Sequence, residues 1–505
     1  MRRAHRREQA AGHEDAFASG LLNYTPDDAE ELRRSLAGSI TTPFDPFYNQ
    51  DRLAFMHTYQ SYPQIIVHCT TVTDVQAALA FARKHKLKVT TRSGGHSTAG
   101  YSVNDQMTID MSAVNHVMID AHGDIARVGA GTPFRKLNQA LEAAGRHVPG
   151  GGCETVCVAG YMQGGGYGFT SRLYGMNCDN VQAVTLVLAD GTVVRADSDV
   201  KPDLYWAVRG GTGNQFGVLV EIEYRLHKGD RFLGFGLRWP LGTTAENRRA
   251  AEVLAAYQAG FTSSSDAPAE LGHQTTLVYV PTAAGGTGQT PQLQIRGVST
   301  LGKAATRKAL APLIDLMEDP ESQIEIWKEG HYMHLNEILL TSVDPPGLDL
   351  PTVSPNTQAL ADCRIVSGMH GRKRWGEVIA LFLDAPVRTT FINLEAYGGE
   401  INRRLPTDCA FVHRRESLNL SAWTFWTVAE QEAEAREWLA RFAKLGDSMG
   451  NGRRRRYANY PLRGTRDFGR ATFGENLERL MQIKDRVDPE GLFDFEQSLA
   501  RAAVD

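Results

Sequence analysis

The chain has 505 residues, 42% of them hydrophobic and 22% charged, an ordinary globular balance that excludes a mainly disordered chain and allows about two to four domains. Its 54 basic and 58 acidic side chains leave a net charge of −4, so no global basic field draws in nucleic acid or an anionic membrane. No run of about 18 apolar residues occurs, which argues against a spanning helix.

The first 40 residues are polar and charged. The basic start MRRAHRREQAAGHEDAFASG lacks an apolar core, so no secretory signal is visible and a cytoplasmic location is expected. Pro26-Asp27-Asp28 reads as a helix start. Ile65 to Val67 reads as a buried strand. Thr73 and Asp74 then open a helix with Val75, Ala78, Leu79, Phe81 and Ala82 at helical spacing. Leu87 to Thr91 returns as a strand and runs into Arg92-Ser93-Gly94-Gly95-His96. Strands follow at 107–111, 116–120 and 124–129. Thr132-Pro133 opens a helix carrying Phe134, Leu137 and Leu141 on one face. Val181 to Leu188 and Gly191 to Arg195 read as a hairpin through Ala189-Asp190-Gly191, and Val218 to Leu226 as a further strand. Residues 228–300 are β-rich, 303–317 and 428–446 read as helices, and the loop 341–357 carries Pro345, Pro346, Pro351 and Pro355. A loop of that length is usually functional or mobile. The expected division is a first domain over 1–227 with its core at about 58–228, a second over 228–450, and a segment 451–505 returning to the first.

The 49 glycines cluster, and clustered glycine signals close backbone approach, often to a ligand. RSGGH at 92–96 leaves a strand through two glycines, and N–H groups bent toward one point form a nest suited to phosphate. The same pair also makes an ordinary turn, with His96 a plain loop histidine. No GxGxxG opens a helix, which argues against a Rossmann dinucleotide site. GGGCETVCVAGYMQGGGYG at 150–168 suggests two close backbone passes along a flat ligand. The six cysteines are too sparse for a disulfide scaffold and suit a reducing compartment. Cys153 and Cys157 are spaced C-x3-C without a second paired cluster nearby, which favours two buried thiols over a zinc site or a C-x-x-C redox pair.

RSGGHS at 92–97, the 150–168 segment and DLYWAVRGGTGNQFGVLVEIEYRL at 203–226 occur in this order. Together they resemble the FAD-binding domain of the vanillyl-alcohol-oxidase/PCMH flavoproteins. YANY at 457–460 and FGENLERLMQIKDRVDPEGLFDFEQS at 473–498 resemble its berberine-bridge-enzyme-like branch. EAYGGEINRRLPTDCAFVHR at 395–414 resembles that branch's substrate domain. The resemblance implies an α+β fold: a PCMH-type FAD-binding domain of two α/β subdomains plus the C-terminal tail, and an antiparallel-sheet substrate domain backed by helices.

It also implies roles. His96 and Cys153 match the residues that bond to the flavin 8α-methyl and C6, which implies bicovalent FAD, with Cys157 a competing thiol where the family usually has Gly. Arg92, Ser93, Gly94, Gly95, Ser97, Gly160, Gly164, Gly165, Gly217, Val218 and Asn459 fall in the matching cofactor-binding segments. Val156 matches the position beside flavin C4a that controls oxygen access, and a Val there resembles the oxidases; plain packing is the alternative. Tyr161 stands where many members have His near the flavin pyrimidine and retains a hydroxyl to donate.

Tyr460 matches the branch's proton acceptor, with Tyr457 beside it in the same Y-x-N-Y motif. A phenol titrates near about 10 and needs activation. Arg453 to Arg456 precede it, and positive charge lowers a Tyr pKa, although four arginines in a row read first as a solvated face. Some members use a carboxylate on the substrate sheet; Glu395 stands in that region and reads first as structural or surface. His413 and Arg414 read as structural. Trp423, Phe425 and Trp426 suit either a wall that stacks on a ring or core packing.

The implied reaction is oxidation of an alcohol, on a sugar or a glycosylated or other secondary metabolite, with hydride passing to flavin N5 and O2 reduced to H2O2. Expected partners are a small-molecule substrate and O2, without nucleic acid, membrane or metal, in a monomer or homodimer. An oxidative cyclase or dehydrogenase of an alkaloid- or polyketide-like metabolite is the alternative, and a non-catalytic flavin-binding protein the rival of another class.

Overall fold

The computed structural model describes residues 20–502 apart from 230, 263–266, 282–287 and 342–356. The basic start and all but the ends of the proline-rich loop lie outside the described residues.

The helix Val72–Lys84 begins where Thr71 and Asp74 cap each other: the Thr71 hydroxyl accepts from Asp74 N and the Asp74 carboxylate accepts from Thr71 N. Its apolar stripe, Val75, Ala78, Leu79 and Ala82, is wholly buried with a four-stranded sheet. The strand order is Ser39–Thr41, Ile65–His68, Met107–Asp110, Val89–Arg92. The last three run parallel, so their carboxyl ends open on one side, and the strand ending at Arg92 delivers the loop 93–98 there.

A second, antiparallel sheet has the order Val117–Ile119, Ile125–Gly129, Val218–Arg225, Val181–Val187, Val193–Asp197. Its last pair closes as a hairpin with Val187 opposite Val193, and Gly191 takes the left-handed conformation the turn needs at φ 88°. The helix Phe134–Ala143 buries Phe134, Leu137 and Leu141 in this sheet's core.

The third sheet has seven antiparallel strands: Ile324–Gly330, Phe232–Pro240, Gln289–Ser299, Leu271–Pro281, Phe391–Ala396, Leu418–Trp426, Gln358–Val366. The helices Thr244–Phe261, Lys303–Ile314, Arg372–Leu383 and Gln431–Asp447 share one core with it, in which Tyr257, Leu310, Trp375 and Trp438 are buried. Side chains alternate along a strand. On Phe391–Ala396, Ile392, Leu394 and Ala396 enter that core, which leaves Phe391, Asn393 and Glu395 on the opposite face.

The C-terminal segment packs on the first two sheets. Leu480 and Ile483 of the helix Leu477–Val487 join the five-stranded sheet's core, and Leu492 and Phe493 join that of the four-stranded sheet. Buried Lys484 fastens it, its ammonium 2.6 Å from Asp488 and donating to the carbonyls of Gln215 and Phe493, both at 2.8 Å. Among the described residues, no helix is long and apolar enough to cross a membrane.

Candidate active site

A cavity of about 590 Å³ lies where the loops of the first two sheets meet the open face of the third. That volume is within the range of small-molecule sites, about 300 to 1,000 Å³.

One wall is the loop after Arg92. Arg92 itself is buried and committed: its Nε donates to Asp110 at 2.6 Å. Gly94 presses on the chain at 155–157; a Cβ there would stand 3.0 Å from Thr155 O and Cys157 N. Gly95 turns at φ 71° and its carbonyl accepts from Phe55 N at 3.0 Å, while the Ser97 hydroxyl accepts from Tyr101 N. The N–H groups of Gly94, Gly95, His96 and Ser97 have no acceptor among the described residues, and all four residues line the cavity. The His96 ring stacks on Phe55 with centroids 4.9 Å apart, and burial pulls its pKa down to about 4, so the imidazole is neutral near pH 7.

The close approach at Gly94 brings His96 and Cys153 to a common neighbour. The Thr155 hydroxyl stands 3.1 Å from His96 Nε2 and 3.5 Å from Cys153 Sγ. Cys153 is half-buried in the wall. Cys157 is buried, its thiol donates to Gly131 O at 3.2 Å, and burial pushes its pKa up to about 12. The two thiols are therefore unlike: one borders open space, the other is tied to the backbone. Val156 and Gly160 also line the cavity, and Val156 is tied by its carbonyl, which accepts from Phe134 N at 3.0 Å.

Four expected cofactor residues do not border the cavity. Val218 is fully buried in the core of the four-stranded sheet, and a Cβ on Gly217 would meet Val187 O at 2.7 Å. The turn ahead of them supplies the wall instead, through Thr212, Gly213 and Asn214; Thr212 and Asn214 take positive φ, and the chain has entered its strand by 218. Gly164 and Gly165 are bare because protein fills the space, Asn459 against the first and the Phe411 ring against the second. Tyr161 lines the cavity, but its hydroxyl donates to Tyr167 O, and its ring lies against Gly151 and Gly166. It shapes the wall and has no proton left to donate into it.

The far wall holds the titratable pair. Tyr460 donates its hydroxyl to Glu395 Oε1 at 2.5 Å, and Asn419 Nδ2 donates to Oε2 at 2.9 Å. Strand register sets this up, with Glu395 opposite both Asn419 and Gln274. Glu395 is buried against the cavity rather than on the surface, and burial raises its pKa to about 7 against the two hydrogen bonds. Tyr460 is held well above its ordinary value by burial and by the Glu395 charge. The arginine run does not offset this: Arg456 pairs with Asp362, Arg455 with Glu475 at 3.1 Å, and Arg454 is exposed.

Tyr457 is not on a strand and does not face away from Tyr460. The two rings meet edge-on at 5.2 Å in one turn. The Tyr457 hydroxyl accepts from Gly166 N at 2.9 Å, Tyr167 N at 3.2 Å and Asn459 Nδ2 at 2.9 Å. Asn459 also donates to Tyr161 O at 2.9 Å, so both residues fasten the tail to the glycine-rich segment. His413 Nε2 donates to Arg456 O at 2.8 Å, and Arg414 is locked to Asp179.

Trp423 and Phe425 share the cavity face with Phe391, and Phe391 stacks on both at 5.9 and 6.2 Å. Trp426 points the other way, into the core with the helices. Gln274, Asn393 and Asn336 add neutral polar groups; Asn336 reaches the wall from the helix Tyr332–Thr341 and donates to Gly152 O at 2.8 Å. Period-two alternation in FINLEA and LNLSAWTFW was a signal for Glu395 and for the split between Trp423 and Trp426. The same alternation puts Asn419 on the face of Trp423, whereas Thr155 and Asn336 carry no such mark.

Residues 63–197 match the family described as FAD binding domain, and residues 456–500 the one described as berberine and berberine like. An uncharacterized FAD-linked oxidoreductase of Bacillus subtilis (strain 168), YgaK, is 25% identical over 92% of this chain and 98% of its own. The monolignol oxidoreductase AtBBE-like 13 of Arabidopsis thaliana is 25% identical over 86% of this chain and 84% of its own. The solved Physcomitrella patens BBE-like 1 superposes with a TM-score of 0.79 at 24% identity, covering 93% of this chain and 98% of that one. The unpartnered N–H groups of 94–97 fit the phosphates of FAD, and the neutral His96 fits a ring-bearing cofactor beside it. Matches at both ends of the chain, on segments that meet around one cavity, identify it as a berberine-bridge-enzyme-like member of the vanillyl-alcohol-oxidase/PCMH flavoproteins, an FAD-linked oxidoreductase.

Proposed function

We propose that the chain is an oxidase of a neutral, ring-bearing alcohol, in which Tyr460 receives the substrate hydroxyl proton as it passes its own to Glu395. The 2.5 Å bond between them, at the open face of the substrate sheet, is the observation that carries this reading. Bound FAD supplies the two-electron acceptor for the carbon-bound hydride, and O2 is the final acceptor, giving H2O2. Tyr460 alone is a poor base, because burial and the neighbouring carboxylate both oppose its ionisation. As a relay it need never ionise: Glu395, raised to about 7, is ionised over part of the neutral range and holds the proton. Asn419 keeps the carboxylate aimed. Phe391, Trp423 and Phe425 offer stacking surface for a sugar or aromatic ring, and Gln274 and Asn393 offer neutral hydrogen bonds. A poised proton relay disfavours a non-catalytic flavoprotein.

Anaerobic mixing with a panel of sugars, aromatic alcohols, glycosylated metabolites and amines tests this. A neutral ring-bearing alcohol should bleach the flavin, and air should restore the colour with one equivalent of peroxide. Bleaching by amines alone, or by nothing, refutes it. Val156, in the cavity wall, should govern the second half. Val156→Leu should slow reoxidation and spare reduction; equal reoxidation in both proteins removes the gating role.

We read His96 and Cys153 as covalent attachment residues for the flavin. The neutral imidazole and the half-buried thiol around Thr155 support this, and the tied, high-pKa Cys157 does not compete well. His96→Ala or Cys153→Ala alone should keep flavin through acid precipitation, and the double variant should release it. Peptide mass spectrometry that finds flavin on Cys157, or on one residue only, refutes the double attachment.

A further inference from the structure

Away from the cavity, Cys178 and Cys409 meet in the core. Their sulfurs and a carboxylate oxygen of Asp179 lie within 4.8 Å of one another, and all three residues are buried. Cys178 belongs to the turn Asn177–Asn180, which is fastened to the glycine-rich cradle: Asn177 N donates to Gly166 O at 2.8 Å and Cys178 N to Gly165 O at 2.9 Å. Cys409 comes from the loop before the strand Leu418–Trp426 of the seven-stranded sheet. Two residues further on, the Phe411 ring packs on Gly165 and meets Tyr457 edge-on at 6.1 Å. The thiol pair therefore sits where the cofactor side, the substrate sheet and the tail join.

Arg414 makes the two sulfurs unlike. Its guanidinium donates to both oxygens of Asp179, at 2.7 and 2.8 Å, and to Cys409 Sγ at 3.2 Å. Its positive charge already occupies the anionic centre that a metal ion would need. The hydrogen bond from Cys178 and the Arg414 charge pull the Cys409 thiol below its ordinary value despite burial, and Cys178 is pushed up. Burial pushes Cys69, Cys157 and Cys363 upward as well. Cys409 is itself buried, and Thr407 and Asp408 just before it in the loop are exposed.

We propose that Cys178 and Cys409 are a thiol pair that small hydroperoxides convert to a disulfide, stapling the cofactor cradle to the substrate sheet. The Cys409 thiolate attacks a peroxide oxygen; an S–O bond forms, the O–O bond breaks, and the alcohol fragment leaves with a proton. Cys178 sulfur then attacks Cys409 sulfur; the S–S bond forms, the S–O bond breaks, and hydroxide leaves as water with the Cys178 proton. Two thiols lose two electrons and two protons, and the hydroperoxide is reduced to an alcohol and water. Side-chain rotation must bring the sulfurs from their present separation to about 2.05 Å. The pair stands independently of which alcohol the enzyme oxidises.

The test uses the holoenzyme with tert-butyl hydroperoxide or H2O2, followed by unfolding, alkylation and non-reducing peptide mass spectrometry. The expected product is a Cys178–Cys409 linked peptide, cleaved by dithiothreitol, with Cys69 and Cys363 still alkylated. Cys409→Ser should remove the link and leave Cys178 free. Recovery of both peptides fully alkylated, or of Cys409 as a sulfinic acid without a link, overturns the proposal. So does one equivalent of zinc in the purified protein that Cys409→Ser abolishes. The wild-type measurement decides by itself if the variant does not fold.

Discussion

Glu395→Gln is expected to slow anaerobic flavin reduction by about 10² to 10⁴, the usual contribution of a positioned general base. The amide keeps the size of the carboxyl and a hydrogen bond to Tyr460, so folding and flavin loading should barely change, but it cannot hold a proton at neutral pH. Tyr460→Phe interrupts the same relay one atom earlier and should fall in the same range. Stopped-flow absorbance without oxygen reads the step directly, and reoxidation should be unaffected in both. The pH profile separates a relay from a packing role. In the proposed relay the carboxylate is the working form, and burial raises its pKa to about 7. Wild-type reduction should therefore fall about tenfold per pH unit below that value and level off above it. The Tyr460 hydrogen bond lowers the Glu395 pKa; its loss in Tyr460→Phe should move the residual midpoint upward. Reduction within about threefold of wild type in Glu395→Gln, well below that range, would assign the proton to another group.

Asp179→Ala is expected to cost about 3 to 5 kcal/mol of folding stability, because it takes both carboxylate hydrogen bonds from the buried Arg414 guanidinium and leaves it the Cys409 sulfur. Both side chains are essentially inaccessible, at 1% and 0% exposure, so solvent cannot replace the lost partner. Asp179 also accepts from Met176 N at 2.8 Å and so holds the start of the turn that carries Cys178. Burial alone would raise its pKa, yet the Arg414 charge and hydrogen bonds hold it below the usual carboxylate value, so the carboxylate stays ionised in the pair. Urea unfolding of the purified variant measures the loss. A change below about 1 kcal/mol, the range of exposed ion pairs, would mean that water or a local shift relieves the buried charge.

Local spacing settled much of the fold. The helix Val72–Lys84, the hairpin around Gly191 and the strand leading to Arg92 follow from a capping residue, a turn glycine and apolar periodicity, all written within a few residues. The motifs around His96, Cys153 and Tyr460 are likewise contiguous stretches, and all three line one cavity. Glycine misled where its cause was distant. At Gly164, Gly165 and Gly217 the missing side chain makes room for Asn459, Phe411 and the Val187 backbone, none of them near in sequence. Tyr161 gave no hint that Tyr167 O takes its proton, nor Tyr457 that backbone amides of the cradle crowd its oxygen.

The sequence by itself determined the alternation of Phe391–Ala396 and the presence of a tyrosine and an acid within its motifs. Only the tertiary structure decided that these two meet. Tyr460 and Glu395 are brought together by a tail that crosses back over the substrate sheet, and by a strand register that sets Asn419 opposite the acid. The same holds for Cys178, Cys409 and Arg414, which come from a turn and a loop more than 200 residues apart in the chain. A pKa depends on burial and on neighbours in space, and neither is a property of a short stretch of chain.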